Sequence, residues 1–214
     1  NNYITPEIKK EFLFIKAKLK AFLVEDPENL YEDLKKKEAL SFIEKYQKAV
    51  LLHRLGKSNM GVEIIDELIR KRDNDYYLLE SKGQFLFESG QSDQAIIIYE
   101  QILEKINSVL IKIQYASAIN SADEKVLYNL AINQLNYAVL EEKENVMAWD
   151  LLAELYGKNG YQGLSSYAQG ESFYLKGKYK LAILKANEAI GEFENNTSFN
   201  LSKEQQIQKT KDLL

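Results

Sequence analysis

The residue types that can carry chemistry are few in this chain. Of its 214 residues one is histidine, His53, and none is cysteine. A catalytic zinc takes three protein ligands, so a zinc centre here would rest almost wholly on carboxylates, and no H-E-x-x-H occurs. The lack of cysteine also removes thiolate metal sites, disulfide frameworks and cysteine nucleophiles. Asp and Glu together number 32, and Glu80, Glu88, Asp150 and Glu154 fall on expected helices. General acid–base catalysis needs such groups beside a reacting bond in a water-poor cleft, and the order of residues marks no such cleft. Neither a G-x-x-x-x-G-K-[ST] nor a G-x-G-x-x-G loop is present, and Lys82-Gly83 falls inside a helix. Ser165-Ser166 has no base near it in sequence. These groups read as solvated helix faces. No catalytic residue, metal ligand or cofactor is expected in this chain.

Composition narrows the function further. The net charge is −4 and the pI about 5.3, whereas nucleic-acid binders present a basic face to phosphates. Lysines are interspersed with acids except in the first helix, where Lys9, Lys10, Lys16, Lys18 and Lys20 face Glu7 and Glu11. Long lysine side chains commonly cover apolar stripes there. No run of about 18 apolar residues exists, so no membrane span is expected. Hydrophobic residues make up 45% and prolines number two, Pro6 and Pro27, so long helices can run unbroken. Strand alternation and Asn-Gly or Asp-Gly hairpin turns are lacking. The 14 tyrosines and Trp149 are read as packing residues. The sequence begins at Asn1 rather than Met, and is expected to be a piece of a longer protein.

What positions these residues is a repeat. Ala49, Gly56, Gly61, Ile65 and Leu68 recur 34 positions on as Gly83, Gly90, Ala95, Tyr99 and Ile102. That period belongs to tetratricopeptide (TPR) helical hairpins. Small residues at Ala49, Gly83, Gly61 and Ala95 let paired helices approach, Gly56 and Gly90 end the first helix of each pair, and Tyr99 and Ile102 fill the space between hairpins. The fold class expected is an all-α, TPR-like right-handed α-solenoid of antiparallel hairpins with about 10–11 helices.

The first helix opens at Thr5-Pro6, and Ile8, Phe12, Ile15, Leu19 and Phe22 form one helical face. Residues 1–37 make an N-terminal linker helix and loop, Val24 to Lys37 being loop with at most a turn of helix. The array proper spans 38–194. Its hairpins cover about 38–72, with a first helix Glu38–Leu55, then 76–106 and 109–141. In the third, Ala116 follows Gly83 by 33 residues and about three residues are inserted in Asn120–Lys125; its helices are Val109–Ile119 and Glu124–Glu141. A three-helix cap follows at 146–193, in which the helix near Gly163–Lys176 serves two repeats. After an Asn195-Asn196-Thr197 loop, residues 195–214 form a capping helix opened by Ser202 and Gln205.

In a TPR stack the first helix of each hairpin lines the concave face. The repeat places Tyr46, His53 and Arg54 there from the first hairpin, and Tyr77, Glu80, Gln84 and Glu88 from the second. The third contributes Ile113, Ser117 and Asn120, and the fourth Asp150, Glu154 and Lys158. The Lys and Asn pattern that clamps a peptide carboxylate is missing. A basic or extended apolar peptide is the expected ligand.

Two stretches carry a more specific resemblance. Glu80-Ser81-Lys82-Gly83-Gln84-Phe85-Leu86-Phe87-Glu88-Ser89-Gly90 and Ala148-Trp149-Asp150-Leu151-Leu152-Ala153-Glu154-Leu155-Tyr156-Gly157, with Gly160, resemble the C-terminal TPR region of bacterial zinc-dependent metalloproteases. Ala168, Glu171 and Gly177, and the region from Lys16 to Leu23, add weaker matches. That family is a periplasmic one with an N-terminal H-E-x-x-H domain. The resemblance implies a catalytic domain upstream of Asn1 that would hold the zinc, and a periplasmic or envelope location. It also implies partners among proteins or extended peptides: the chain's own protease domain and envelope protein clients. Asp73 and Asn107 replace the proline common at repeat ends. The competing expectation is a free-standing scaffold that bridges a complex or forms a homodimer through the N-terminal helix.

Overall fold

The computed structural model describes residues 6–72, 75–195, 208, 210 and 211. Asp73, the Thr5 cap, the Asn196-Thr197 loop and the helix expected at Ser202 and Gln205 lie outside those residues. Eleven α-helices and no strand occur among the described residues. They fall into two compact units, 1–105 and 106–214.

The first unit holds α1 (Pro6–Leu23), α2 (Pro27–Lys35), α3 (Phe42–Arg54), α4 (Ser58–Lys71), α5 (Tyr76–Glu88) and α6 (Ser92–Leu103). Helices α3 and α4 pair, as do α5 and α6, and α4 packs on α5. Each pair turns at a glycine with positive φ, +73° at Gly56 and +80° at Gly90. There the Lys57 and Gln91 N–H groups each donate 2.8 Å to the carbonyls of Leu52 and Leu86, the bond that closes a left-handed helix end. The helices approach where the repeat is small. A Cβ on Gly61 would lie 2.8 Å from the Ala49 carbonyl oxygen, and one on Gly83 would lie 2.6 Å from the Tyr99 ring. Tyr99 therefore closes its own hairpin over Gly83.

Two N-terminal boundaries differ from the sequence reading. Val24 to Lys37 is not loop: α2 runs nine residues, with the Asp26 carboxylate accepting from the Asn29 N–H at 2.9 Å and Pro27 in its first turn. Asp-Pro is an N-cap followed by the residue whose missing N–H the first turn does not need. Helix α3 starts at Phe42 rather than Glu38, because Ser41 and Glu44 form a reciprocal capping box. Hydrogen bonds from Lys37 and Ser41 hold the Glu44 carboxyl down to about 2.

The second unit holds α7 (Val109–Ala122), α8 (Tyr128–Glu141), α9 (Val146–Lys158), α10 (Gln162–Leu175) and α11 (Tyr179–Asn195). The α7–α8 turn has no glycine. Asp123 takes the left-handed conformation, φ 56°, at the place Gly90 holds one repeat earlier. A 3₁₀ turn over Lys125–Leu127 then precedes α8, so the second helix starts at Tyr128 and not at Glu124. Helix α10 packs against both α9 and α11.

Candidate binding faces

In the first unit the first-helix face is already covered, by α1. The Phe14 ring is 1% exposed. It meets Tyr46 edge-on at 4.8 Å, stacks on Tyr77 at 5.9 Å and touches Phe42 at 6.1 Å. Ala17 and Ala21, both buried, let α1 lie close on α3. Ion pairs frame the contact, Lys10 with the buried Asp75 at 2.5 Å and Lys18 with Glu80 at 3.7 Å. Arg54 donates to the Ala21 and Val24 carbonyls at 2.9 and 2.7 Å, closing the α1 C-terminus where helical carbonyls lack partners.

This seating turns three residues of the face assigned to α1 outward. Phe12, Ile15 and Leu19 point outward at 61%, 48% and 52% exposure. Phe22 is half-buried, and the side chain of Ile8 is outside the described set. Helix α1 has two apolar stripes. The inward one has the buried Phe14 ring, the alanines and the lysines that reach Asp75 and Glu80, and Phe22 packs against the same core. A count of apolar spacing along one helix finds both stripes and cannot rank them.

The repeat-mapped residues are accordingly engaged within the unit. Tyr46 is buried and its hydroxyl bonds the Ser81 hydroxyl at 2.9 Å; burial pushes the phenol up to about 12. Tyr77 lies beneath Phe14, Glu80 pairs with α1, and Arg54 caps it. His53, Gln84 and Glu88 form one strut between the hairpins. The His53 ring stacks on Phe85 at 4.2 Å. Its Nδ1 is 3.0 Å from the Ser58 hydroxyl and its Nε2 is 2.8 Å from Glu88 Oε2. Gln84 donates to the other Glu88 oxygen at 2.7 Å. Sequence reasoning missed Ser58, because it becomes the partner of His53 only across the Gly56 turn between α3 and α4. Both imidazole nitrogens are occupied and the ring is clamped, so this row orients helices.

In the second unit Asp150 accepts from Ser172 and from Lys176, the latter at 2.8 Å through both oxygens. These bonds tie α9 to α10. Lys158 donates to the Asn120 carbonyl at 3.2 Å and to its side-chain oxygen at 2.8 Å, placing a cation at the negative end of α7. Glu154 pairs with Lys158 at 3.3 Å and is otherwise exposed. Among Ile113, Ser117 and Asn120, Ile113 is buried and Ser117 bonds its own helix. Among the described residues no group of three or more His, Asp or Glu could hold a metal ion, and no helix is long and apolar enough to cross a membrane. His53, with both nitrogens bonded, does not fit a zinc ligand.

No family model and no curated protein sequence matches the chain. Solved structures do. MamA residues 41 to the end from Desulfovibrio magneticus RS-1 superposes with a TM-score of 0.66 at 17% identity, over 79% of this chain and 96% of that one. MamA MSR-1 gives 0.63 at 13% identity, over 80% and 98%. A tetratricopeptide repeat protein from Parabacteroides merdae gives 0.54 at 14% identity, over 98% and 87%. At these identities the likeness concerns the fold alone: this chain has a TPR-like, all-α helical-repeat fold.

Proposed function

We propose that this chain is a non-catalytic module that binds an amphipathic helical or extended segment of a partner protein. The observation that carries this is α1 itself. A lysine-bearing helix lies on the first-helix face of the first unit, anchored by one aromatic ring and framed by two ion pairs. That arrangement is how helix-in-groove recognition works, with an apolar anchor giving affinity and charges setting register. A test uses Phe14→Ala in the full chain, which loosens α1 without touching the α3–α5 face. A labelled peptide of residues 6–23 should then bind the Phe14→Ala chain and not the unsubstituted one. Absence of binding to both sinks the reading.

The finer reading is that the parent is a zinc-dependent protease acting in envelope protein quality control, with this chain as its periplasmic partner-binding part. It is supported by the two sequence stretches around Gly83 and Trp149. An upstream reading frame without H-E-x-x-H would remove it. The second reading, a self-associating scaffold, is favoured by the outward stripe of Phe12, Ile15, Leu19 and Leu23, the last 75% exposed. Light scattering over a concentration range decides it: a strict monomer excludes self-association, and Leu19→Lys should abolish it where it occurs.

A further inference from the structure

The second unit contains a cleft that the first-helix positions do not explain. It has a volume of about 320 Å³ among α8, α9 and α10. Val139 and Leu140 line it from α8, Trp149 and Tyr156 from α9, and Leu164 and Tyr167 from α10. Trp149 and Tyr167 stand edge to face, 5.9 Å between centroids. The polar ends of the lining are already tied. The Trp149 indole donates to the Lys143 carbonyl at 2.9 Å, and the Tyr167 hydroxyl donates to Glu171 at 2.6 Å. The Tyr156 hydroxyl lies 3.0 and 3.1 Å from the two side-chain heteroatoms of Asn136, which also lines the cleft. A small concave site whose polar atoms have partners favours an apolar entrant, because a polar one would lose its water without replacement.

The rim is acidic. Helix α8 ends at Glu141, and the turn that follows adds Glu142 and Glu144 against the single Lys143, all four exposed. The Trp149–Lys143 bond holds that turn against the cleft. The α8 C-terminus and the α9 N-terminus, capped by Asn145, meet at this turn, so their partial charges oppose and the exposed carboxylates set its sign. A cation beside the apolar entrant would be drawn toward these carboxylates and the aromatic lining.

We propose that this cleft is a docking site for a partner segment bearing one bulky apolar side chain next to a basic residue. The site lies wholly in the second unit, so its failure and the failure of the α1-face reading are separate results.

Trp149 is the sole tryptophan, so the full chain reports occupancy through its fluorescence. The probe is a capped heptapeptide, Gly-Ser-Arg-Phe-Arg-Ser-Gly. A saturable emission change is expected, weakened about tenfold or more by replacing the central Phe with Ala, and again by replacing both Arg with Glu. In the protein, Leu140→Lys should weaken binding similarly; Leu140 is 69% exposed, so the change spares the core. Glu144→Lys, away from the lining, keeps the test intact if Leu140→Lys fails to fold. No emission change, equal response to the acidic peptide, or indifference to both protein variants overturns the proposal. So does an emission shift with protein concentration alone, which would assign the cleft to a second copy.

Discussion

Helices α5–α6 and α9–α10 are hairpins of the same repeat, and they close in different ways. Gly83, Gly90, Ala95, Tyr99 and Ile102 in the first correspond to Ala153, Gly160, Ser165, Gln169 and Ser172 in the second, 70 residues on. In α5–α6 a fully buried tyrosine lies over a glycine, and the seal is apolar. In α9–α10 the second helix offers small polar residues. Ser165 donates to the Ala153 carbonyl at 2.7 Å, and Ser172 to Asp150. Helix α10 has neighbours on two sides, α9 and α11. Gly163 shows the constraint on the other side: a Cβ there would sit 2.5 Å from the Phe193 ring of α11. Two neighbours do not by themselves demand small residues, since α4 packs on both α3 and α5 and buries Ile65 and Leu68 at the corresponding positions; α10 instead closes with hydroxyls and glycine.

The largest expected effect that tests this contrast is Tyr99→Ala. It should cost about 3–5 kcal/mol, the usual range for emptying a large buried aromatic site, read as a lower urea midpoint. A loss under about 1 kcal/mol would mean the Tyr99–Gly83 contact does not close the hairpin. Next is Gly163→Ala, expected to cost about 1–3 kcal/mol by overpacking. Phe193→Leu in the same chain should recover part of that loss. If the pair of changes is simply additive, α10 is not held thin by α11. The smallest effect concerns acid. Glu44, at the head of α3, titrates at about 2 in the fold against an ordinary 4.5. A depressed carboxyl stabilises above its unfolded value, so this contribution is complete above pH 4.5 and is lost as pH falls towards about 2. Lys37→Ala should flatten that part of the urea-midpoint profile. The Ser165–Ala153 bond has no titrating partner, so Ser165→Ala should shift stability equally across the same window.

The order of elements from α3 onward could be read from the sequence because TPR packing is local. Glycines at Gly56 and Gly90 are needed for positive φ, and small residues at Gly61 and Gly83 are needed for close approach. Asp123 was harder to place: only its spacing after Ala116, and not its type, marks it as a turn residue in the left-handed region. Helix α2 was missed because nine residues are too few to show a period, although the Asp26-Pro27 pair is a start signal. The candidate site was less legible. Position in the repeat gives the face on which Tyr46, Tyr77, Glu80 and Arg54 stand. It does not say that α1 folds back onto that face. Trp149, Tyr156 and Tyr167 were assigned to packing, and they also border an open cleft, a distinction that depends on how far apart α8 and α10 lie.

The sequence by itself determined the periodic part of this protein: the helical class, the 34-residue hairpin and the turns, because each follows from contacts between residues near in the chain. The tertiary structure decided which of two apolar stripes on α1 turns inward, which repeat-face residues are used within the fold, and where an aromatic cleft stays open. Those outcomes depend on shape and charge matching between helices distant in sequence. Phe14 against Tyr77 and Lys18 against Glu80 are pairings that no local pattern encodes.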